Sequence, residues 1–223
     1  MALSAGTSCA KHFVFSETQL SVYLYATCQS IPRFDRMGYI IDSLRLSEDK
    51  EVYPPLDDSV ILAKAVEVHA FGSVLDMGTG TGVQGIVAAL KGCDVTFADI
   101  SAKALEIAEK NAKANGVNGK FVKTNLFSKL KGRKFNTIIF NPPYLPSELG
   151  AEEILALHGG GKQGREVIDR FLSQYRNFIA KDHTVLLVES SLNNYPADAK
   201  RLKAQIVGKT HYFFEDIVVL KFL

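Results

Sequence analysis

The chain has 223 residues and a mass of 24.5 kDa, enough for one ordinary domain and a short appendage. Hydrophobic residues make up 47% and charged residues 22%, the proportions of a chain with a real core, which argues against disorder and against a coiled coil. Lys plus Arg number 26 against 24 Asp plus Glu, and the net charge of +2 is too weak to signal nucleic-acid binding by itself, although it leaves room for a local basic patch.

Residues 1–50 form a mixed N-terminal extension without a clear motif. Within it, Leu20, Leu24 and Cys28 recur at four-residue spacing and predict a helix over 17–29. The loose alternation of apolar and polar residues over 39–46 reads as an edge strand or hairpin. From 51 to 223 the pattern sharpens into one domain. Tyr53-Pro54-Pro55 is extended or turned, because proline fixes its own φ and pushes its predecessor out of the helical region. Asp57-Asp58-Ser59 then reads as the capped start of a helix over 60–66, with its acids at the positive end.

Strands follow over 74–77, 94–98, 120–123, 136–141 and 184–189. Between them come helices over 83–91, 102–114, 165–180 and 196–207; Ser101 caps the second of these and Asn115-Gly116 ends it. The chain closes with a strand over 217–223 paired with 209–213. Strands alternating with helices, the central ones apolar throughout, imply a parallel sheet covered on both faces. The closing pair adds one antiparallel strand. The expected class is α/β, a Rossmann-like, doubly wound, seven-stranded and mostly parallel sheet.

Cys9, Cys28 and Cys93 form no CxxC and have no His at ligand spacing, so neither a disulfide framework nor an intrinsic zinc site is expected. No stretch approaches the roughly 20 apolar residues that a membrane helix needs. The nearest, 13–26, is broken by Ser16, Glu17, Thr18 and Gln19, and the first ten residues lack a positive stretch ahead of an apolar block. A cytoplasmic chain with reduced thiols is the expectation.

Chemistry gathers in three places. Asp76-Met77-Gly78-Thr79-Gly80-Thr81-Gly82 follows a strand and opens a helix, where glycines let a ligand lie against backbone at a helix N-terminus. Gly80, Gly82 and Gly85 also satisfy the G-x-G-x-x-G dinucleotide pattern, with Asp99 about twenty residues on. Two carboxylates discriminate between the ligands. Asp76 stands where a dinucleotide would bring its pyrophosphate, and a fixed negative charge repels phosphate but suits the ammonium and sulfonium of S-adenosylmethionine. Asp99, at the end of the next strand, is placed to accept ribose hydroxyls, a role common to both cofactors. Third, Asn141-Pro142-Pro143-Tyr144 lies directly after an apolar strand, at the carboxyl edge of the sheet where ligands bind in this architecture. Asparagine offers an amide oxygen, and prolines lacking N–H leave a carbonyl free. Two acceptors can hold the two hydrogens of an –NH2 group, with Tyr144 stacked on a planar substrate.

In this order, the Asp76 glycine loop and Asn141-Pro142-Pro143-Tyr144 resemble class I methyltransferases acting on N6-adenine, N4-cytosine or glutamine N5. Val52-Tyr53-Pro54-Pro55-Leu56-Asp57-Asp58-Ser59 and the stretch from Gly159-Gly160-Gly161 to Phe171 narrow the resemblance to HemK-type glutamine methyltransferases of the archaeal and eukaryotic branch. The resemblance covers roughly residues 50–223. It implies the class I fold, S-adenosylmethionine as cofactor, and methylation of the glutamine in the Gly-Gly-Gln motif of a peptide-chain release factor. It also implies a small zinc-binding activator subunit covering an apolar sheet edge, unless residues 1–50 cover that edge instead.

Carried over position by position, the resemblance gives Ser59, in place of the usual threonine, a contact to the cofactor's methionine moiety, flanked by Asp76, Gly78 and Gly80. Asp99 holds the ribose, and Asn125 with Leu126 the adenine. The family's usual aspartate is replaced by Asn125, which keeps an acceptor oxygen without the charge, so that contact is expected to weaken. Asn141, the Pro142 carbonyl and Tyr144 take the substrate. Tyr53 and Pro55 wall the pocket. No metal is expected. The alternative, N6-adenine methylation of RNA or DNA, needs a platform for a flipped base. The only basic cluster, Lys123, Lys129, Lys131, Arg133 and Lys134, reads equally as a solvated loop face. None of the five histidines has a partner pattern, and His158, before the glycine run, is read as a surface or core residue.

Overall fold

The computed structural model describes residues 39–146, 160–161, 163–212 and 215–223. The helix expected over 17–29, His158 and any role of residues 1–38 in covering a sheet edge lie outside the described residues. In chain order the elements are α1 (Tyr39–Asp42), α2 (Asp57–His69), β1 (Ser73–Met77), α3 (Val83–Leu90), β2 (Asp94–Asp99), α4 (Ala102–Ala114), β3 (Lys120–Lys123) and β4 (Phe135–Phe140). After these come α5 (Glu166–Gln174), a 3-10 turn Tyr175–Asn177, β5 (Ile179–Ser190), a second 3-10 turn Ser191–Asn193, α6 (Tyr195–Leu202), β6 (Gln205–Tyr212) and β7 (Glu215–Phe222).

The seven strands form one sheet in the order β3-β2-β1-β4-β5-β7-β6. The pairs among β3, β2, β1, β4 and β5 are parallel. β7 runs antiparallel to both β5 and β6, the inserted strand that the closing pair implies. Val74, Leu75, Asp76 and Met77 are buried one after another, and because successive side chains point to opposite faces, both faces of β1 are covered. Val185–Val188 of β5 and Ile217–Leu220 of β7 repeat the pattern. The core behind the sheet is aromatic. Phe171 of α5 packs on Phe140 at 4.9 Å and on Phe127 at 5.5 Å between ring centres, and Tyr175 meets Phe222 edge-on at 5.4 Å. No helix among the described residues is long and apolar enough to cross a membrane.

Four departures from the sequence expectation have a visible cause or cap. Residues 39–46 hold the short helix α1 and then irregular chain rather than a strand, and asparagine side chains at the end of α4 take the backbone groups of Arg45 and of Ser47 just beyond. Arg45 N donates to Asn115 Oδ1 and Asn115 Nδ2 donates back to the Arg45 carbonyl; Asn111 does the same for Ser47. α2 begins at Asp57 with Leu56 as its cap and no side-chain cap, so Asp57 and Asp58 sit in the first turn. α5 stops at Gln174, not 180, since the Phe178 carbonyl accepts from Phe135 N at 2.8 Å and draws the chain into β5. α6 stops at Leu202, where Lys203 turns left-handed at φ 51° and releases Gln205 and Ile206 to pair with β7. Ser101 does cap α4, accepting from Ala104 N, and the helix ends before Asn115-Gly116 as expected.

Phe171 is fully buried with rings on several sides. Phe171→Ala should therefore lower the unfolding free energy by about 3–5 kcal/mol, read from urea titrations followed by far-UV circular dichroism.

Candidate active site

Strand register gathers the site. Met77, the last residue of β1, lies beside Ala98 of β2 and beside Phe140 of β4. The chain therefore leaves all three strands at one level, through Gly78, Asp99 and Asn141. β3 pairs Lys123 with Asp99, which brings Thr124, Asn125 and Leu126 to the same edge. Strand order reverses between β1 and β4, and at such a switch point the loops part and leave a crevice. The cavity there has a volume of about 680 Å³, and its wall contains every residue that the sequence nominated: Ser59, Asp76, Gly78, Gly80, Asp99, Asn125, Leu126, Asn141, Pro142 and Tyr144. Tyr53 and Pro55 line it as well.

Asp76 is 2% exposed and holds the glycine loop in shape: its Oδ2 accepts from Thr79 Oγ1 at 2.6 Å and from Gly85 N at 2.9 Å. Burial pushes its carboxyl up to about 7 against those donors, and Asp99 nearby pushes the same way. Asp99 is raised too, by burial, although the backbone N–H groups of Ser101, Gly80 and Ile100 favour its charged form. Two carboxyls that resist ionisation on a cavity wall gain from a cationic neighbour. At Gly82 the chain is left-handed, φ 84°, and a Cβ would press on Ala108 of α4, so only glycine fits this crossing. Leu126 is also left-handed at φ 47°, a conformation costing a non-glycine residue about 1–2 kcal/mol. Thr124 secures it, donating to the Leu126 carbonyl at 2.9 Å while accepting from Lys129 N.

Asn141 is divided between two environments. Its Nδ2 donates to Asp58 Oδ2 at 3.0 Å, whereas Oδ1 is buried with no partner among the described residues. The hydroxyl of the buried Tyr144 also donates to Asp58 Oδ2, at 3.2 Å. The backbone of the corner is held from behind. Asn193 Nδ2 donates to the Tyr144 carbonyl at 2.7 Å, and Arg165 Nη1 donates to the Asn193 carbonyl at 2.7 Å. Arg165 also pairs with Asp169, Asp198 and the fully buried Glu189. Burial, with Asp198 alongside, pushes Glu189 up to about 8.

The sequence reading gave Asp58 no site role, because an acid at a helix start already has a local explanation. It also missed Arg170, whose Nη2 donates to Asn125 Oδ1 at 2.9 Å from α5. Arg170 lies in the motif that carried the family resemblance, which was the available signal. The basic residues Lys123, Lys129, Lys131 and Lys134 are solvent-exposed around the β3–β4 connection.

Residues 55–213 match the methyltransferase small domain model. A Methanocaldococcus jannaschii protein named as an N5-glutamine methyltransferase is 35% identical over 189 residues, 81% of this chain and 95% of that protein. The release factor glutamine methyltransferase of Deinococcus radiodurans is 36% identical over 140 residues, 58% of this chain and 49% of its own length. Among solved structures, the E. cuniculi Mtq2–Trm112 complex responsible for methylation of the eRF1 translation termination factor superposes with a TM-score of 0.60 at 27% identity, covering 77% of this chain and 98% of that one.

Gly164 tests the buttress behind the corner. Its φ is +69°, and a Cβ there would run into the Tyr144 carbonyl and Asn193 Nδ2; at Gly132, φ +78°, a Cβ would meet open space. Gly132→Ala should cost about 1 kcal/mol from backbone strain alone. Gly164→Ala should cost about 1–3 kcal/mol more, from the added collision, in the same urea titrations.

Proposed function

This chain belongs to the methyltransferase small domain family, and we propose that it methylates the side-chain amide nitrogen of a glutamine, the one in the Gly-Gly-Gln motif of a peptide-chain release factor. The names of its relatives support the reaction class, and the partnerless Asn141 Oδ1 carries the assignment of the site. The cofactor is S-adenosylmethionine. It fits the cavity because two buried carboxyls, Asp76 and Asp99, border a glycine loop at the start of α3, where a cation relieves the cost of their ionisation. When bound it supplies a methyl group on a positively charged sulfur, already activated for transfer.

The protein's part is to bind, orient and keep water out. Ser59, Asp76, Gly78 and Gly80 would hold the amino-acid end of the cofactor, Asp99 the ribose, and Leu126 with Asn125 the adenine. Arg170 occupies one side of the Asn125 oxygen, and a carbonyl oxygen has a second lone pair to offer. Asn141 Oδ1 and the Pro142 carbonyl would accept the two hydrogens of the substrate –NH2, and the Tyr144 ring would flank its planar amide. An amide nitrogen is a weak nucleophile because its lone pair is delocalised. Acceptors whose bonds strengthen as that nitrogen becomes positive therefore lower the barrier, and positioning supplies the rest. Asp76 and Asp99 are already engaged by hydroxyl and backbone donors, so their part is to bind the cofactor and set the charge of the wall, not to take a proton.

A small zinc-binding activator subunit belongs to this reading, supported by the two-protein complex among the similar structures. So does a cytoplasmic location, where release factors work.

Purified protein offered release factor and nucleic acid side by side should methylate the release factor; transfer to nucleic acid alone would overturn the substrate. Asn141→Ala should lower kcat by about 100-fold or more, the scale of losing one transition-state acceptor, while S-adenosylhomocysteine binding by calorimetry changes little. Near-normal turnover in that variant would remove the amine-clamp role.

Cofactor binding should also depend on pH. A carboxyl at about 7 in the empty protein is protonated below that pH, and a cationic ligand binds the ionised form. Affinity for S-adenosylmethionine should fall roughly fivefold to tenfold from pH 7.5 to pH 6, and Asp76→Asn should flatten the slope. Because the folded pKa lies above the unfolded one, this carboxyl makes the fold more stable as pH falls through that interval, so the loss of affinity is not unfolding.

A further inference from the structure

Asparagine at the corner is useful only in one orientation. Its amide presents an acceptor at one end and two donors at the other, and a half-turn about its last side-chain bond would place donors where the substrate's –NH2 must be received. Asp58 distinguishes the two ends. The side chain of Asp58 is 2% exposed, and each of its partners among the described residues is a donor. Oδ2 accepts from the Tyr53 hydroxyl at 2.8 Å, from Asn141 Nδ2 at 3.0 Å and from the Tyr144 hydroxyl at 3.2 Å. Oδ1 accepts from Ser59 N at 2.6 Å and from Ser59 Oγ at 3.2 Å.

We infer that Asp58 is the positioning residue of the methyl-transfer site: it sets the flip of the Asn141 amide so that Oδ1 is the atom left to the substrate. The assignment rests on the reading of Asn141 as amine clamp. Turning the amide would bring Oδ1 against a carboxylate, two acceptors face to face with no proton between them, and would break the Nδ2 bond. The same contact acts electronically. An anion accepting from Nδ2 draws positive character to that end of the amide and leaves Oδ1 the stronger acceptor. Asp58 does not itself take the substrate proton, because both its oxygens are filled. Tyr53 and Tyr144 tie one carboxylate to the segment before α2 and to the corner after β4, so the chain entering the domain and the substrate end of the cavity share one anchor.

The first measurement needs neither cofactor nor turnover. In 1H–15N spectra of the wild-type chain, the Asn141 side-chain amide protons should exchange with solvent at least tenfold more slowly than those of an exposed asparagine. Fast exchange would overturn the assignment. The second uses reciprocal variants. Asp58→Asn keeps the shape but offers Asn141 an amide that fits either flip, so kcat should fall tenfold to 100-fold while KM for release factor stays near the wild-type value; the urea midpoint should fall too, because buried donors lose an acceptor. Asn141→Asp sets two carboxylates face to face and should be nearly inactive. In the double variant Asp58→Asn/Asn141→Asp a donor again meets an acceptor, with a carboxylate oxygen left for the substrate, and activity should recover at least tenfold over Asn141→Asp. Full kcat in Asp58→Asn, or no recovery in a folded double variant, would overturn the role. Should the Asp58 variants not fold, the wild-type exchange rate decides alone. Slow exchange without transfer to release factor would support Asp58 and overturn the substrate reading instead.

Discussion

Met77 sits between Ala98 and Phe140 at the carboxyl edge of the sheet, and what the cavity can hold follows from that register. Parallel pairing carries the glycine loop, Asp99 and Asn141 out of the sheet at one height, so groups far apart in the chain need no long loop to meet. A slip of one residue between β1 and β4 would turn every β4 side chain to the other face, taking Phe140 off Phe171 and Asn141 off the level of Gly78. The aromatic packing of Phe140 on Phe171 secures the end of β4 and with it the register of the site.

Acids dominate the strand-end side of the cavity, with Arg170 on the side of Asn125. Asp58, Asp76 and Asp99 all border the cavity, and burial holds the last two above the ordinary carboxylate range. Such a wall disfavours a pyrophosphate and favours a ligand with positive charge. The three acids nonetheless do different work. Asp76 shapes the glycine loop through Thr79 and Gly85, Asp99 ties the β2 end to Gly80, and Asp58 reaches across the cavity to the corner after β4.

The corner is held at the Tyr144 carbonyl from outside the motif. Asn193, held by Arg165, grips the Tyr144 carbonyl, and Gly164 is compatible with that grip because it has no side chain. This gives Gly160 and Gly164 a physical purpose: they lie against the Pro143 and Tyr144 carbonyls, where a Cβ would collide. The buried Arg165 group, with Glu189 and Asp198, is the counterweight on the far side of that grip.

The seven strands, their mostly parallel order, the Ser101 cap and the three chemical motifs were legible in the chain because each depends on neighbours a few residues away. Apolar runs, a capping serine, and glycines between a strand and a helix carry their meaning locally. Tertiary structure alone decided the rest. α5 and α6 end early because sheet pairing recruits their last residues; 39–46 is no strand, opening as the helix α1 and giving the Arg45 backbone to Asn115, 70 residues on. Arg170 finds Asn125 across 45 residues, and Asp58 finds Asn141 and Tyr144 across 83 and 86. No local periodicity reports a hydrogen bond of that span; it exists only once the sheet has brought the strand ends together.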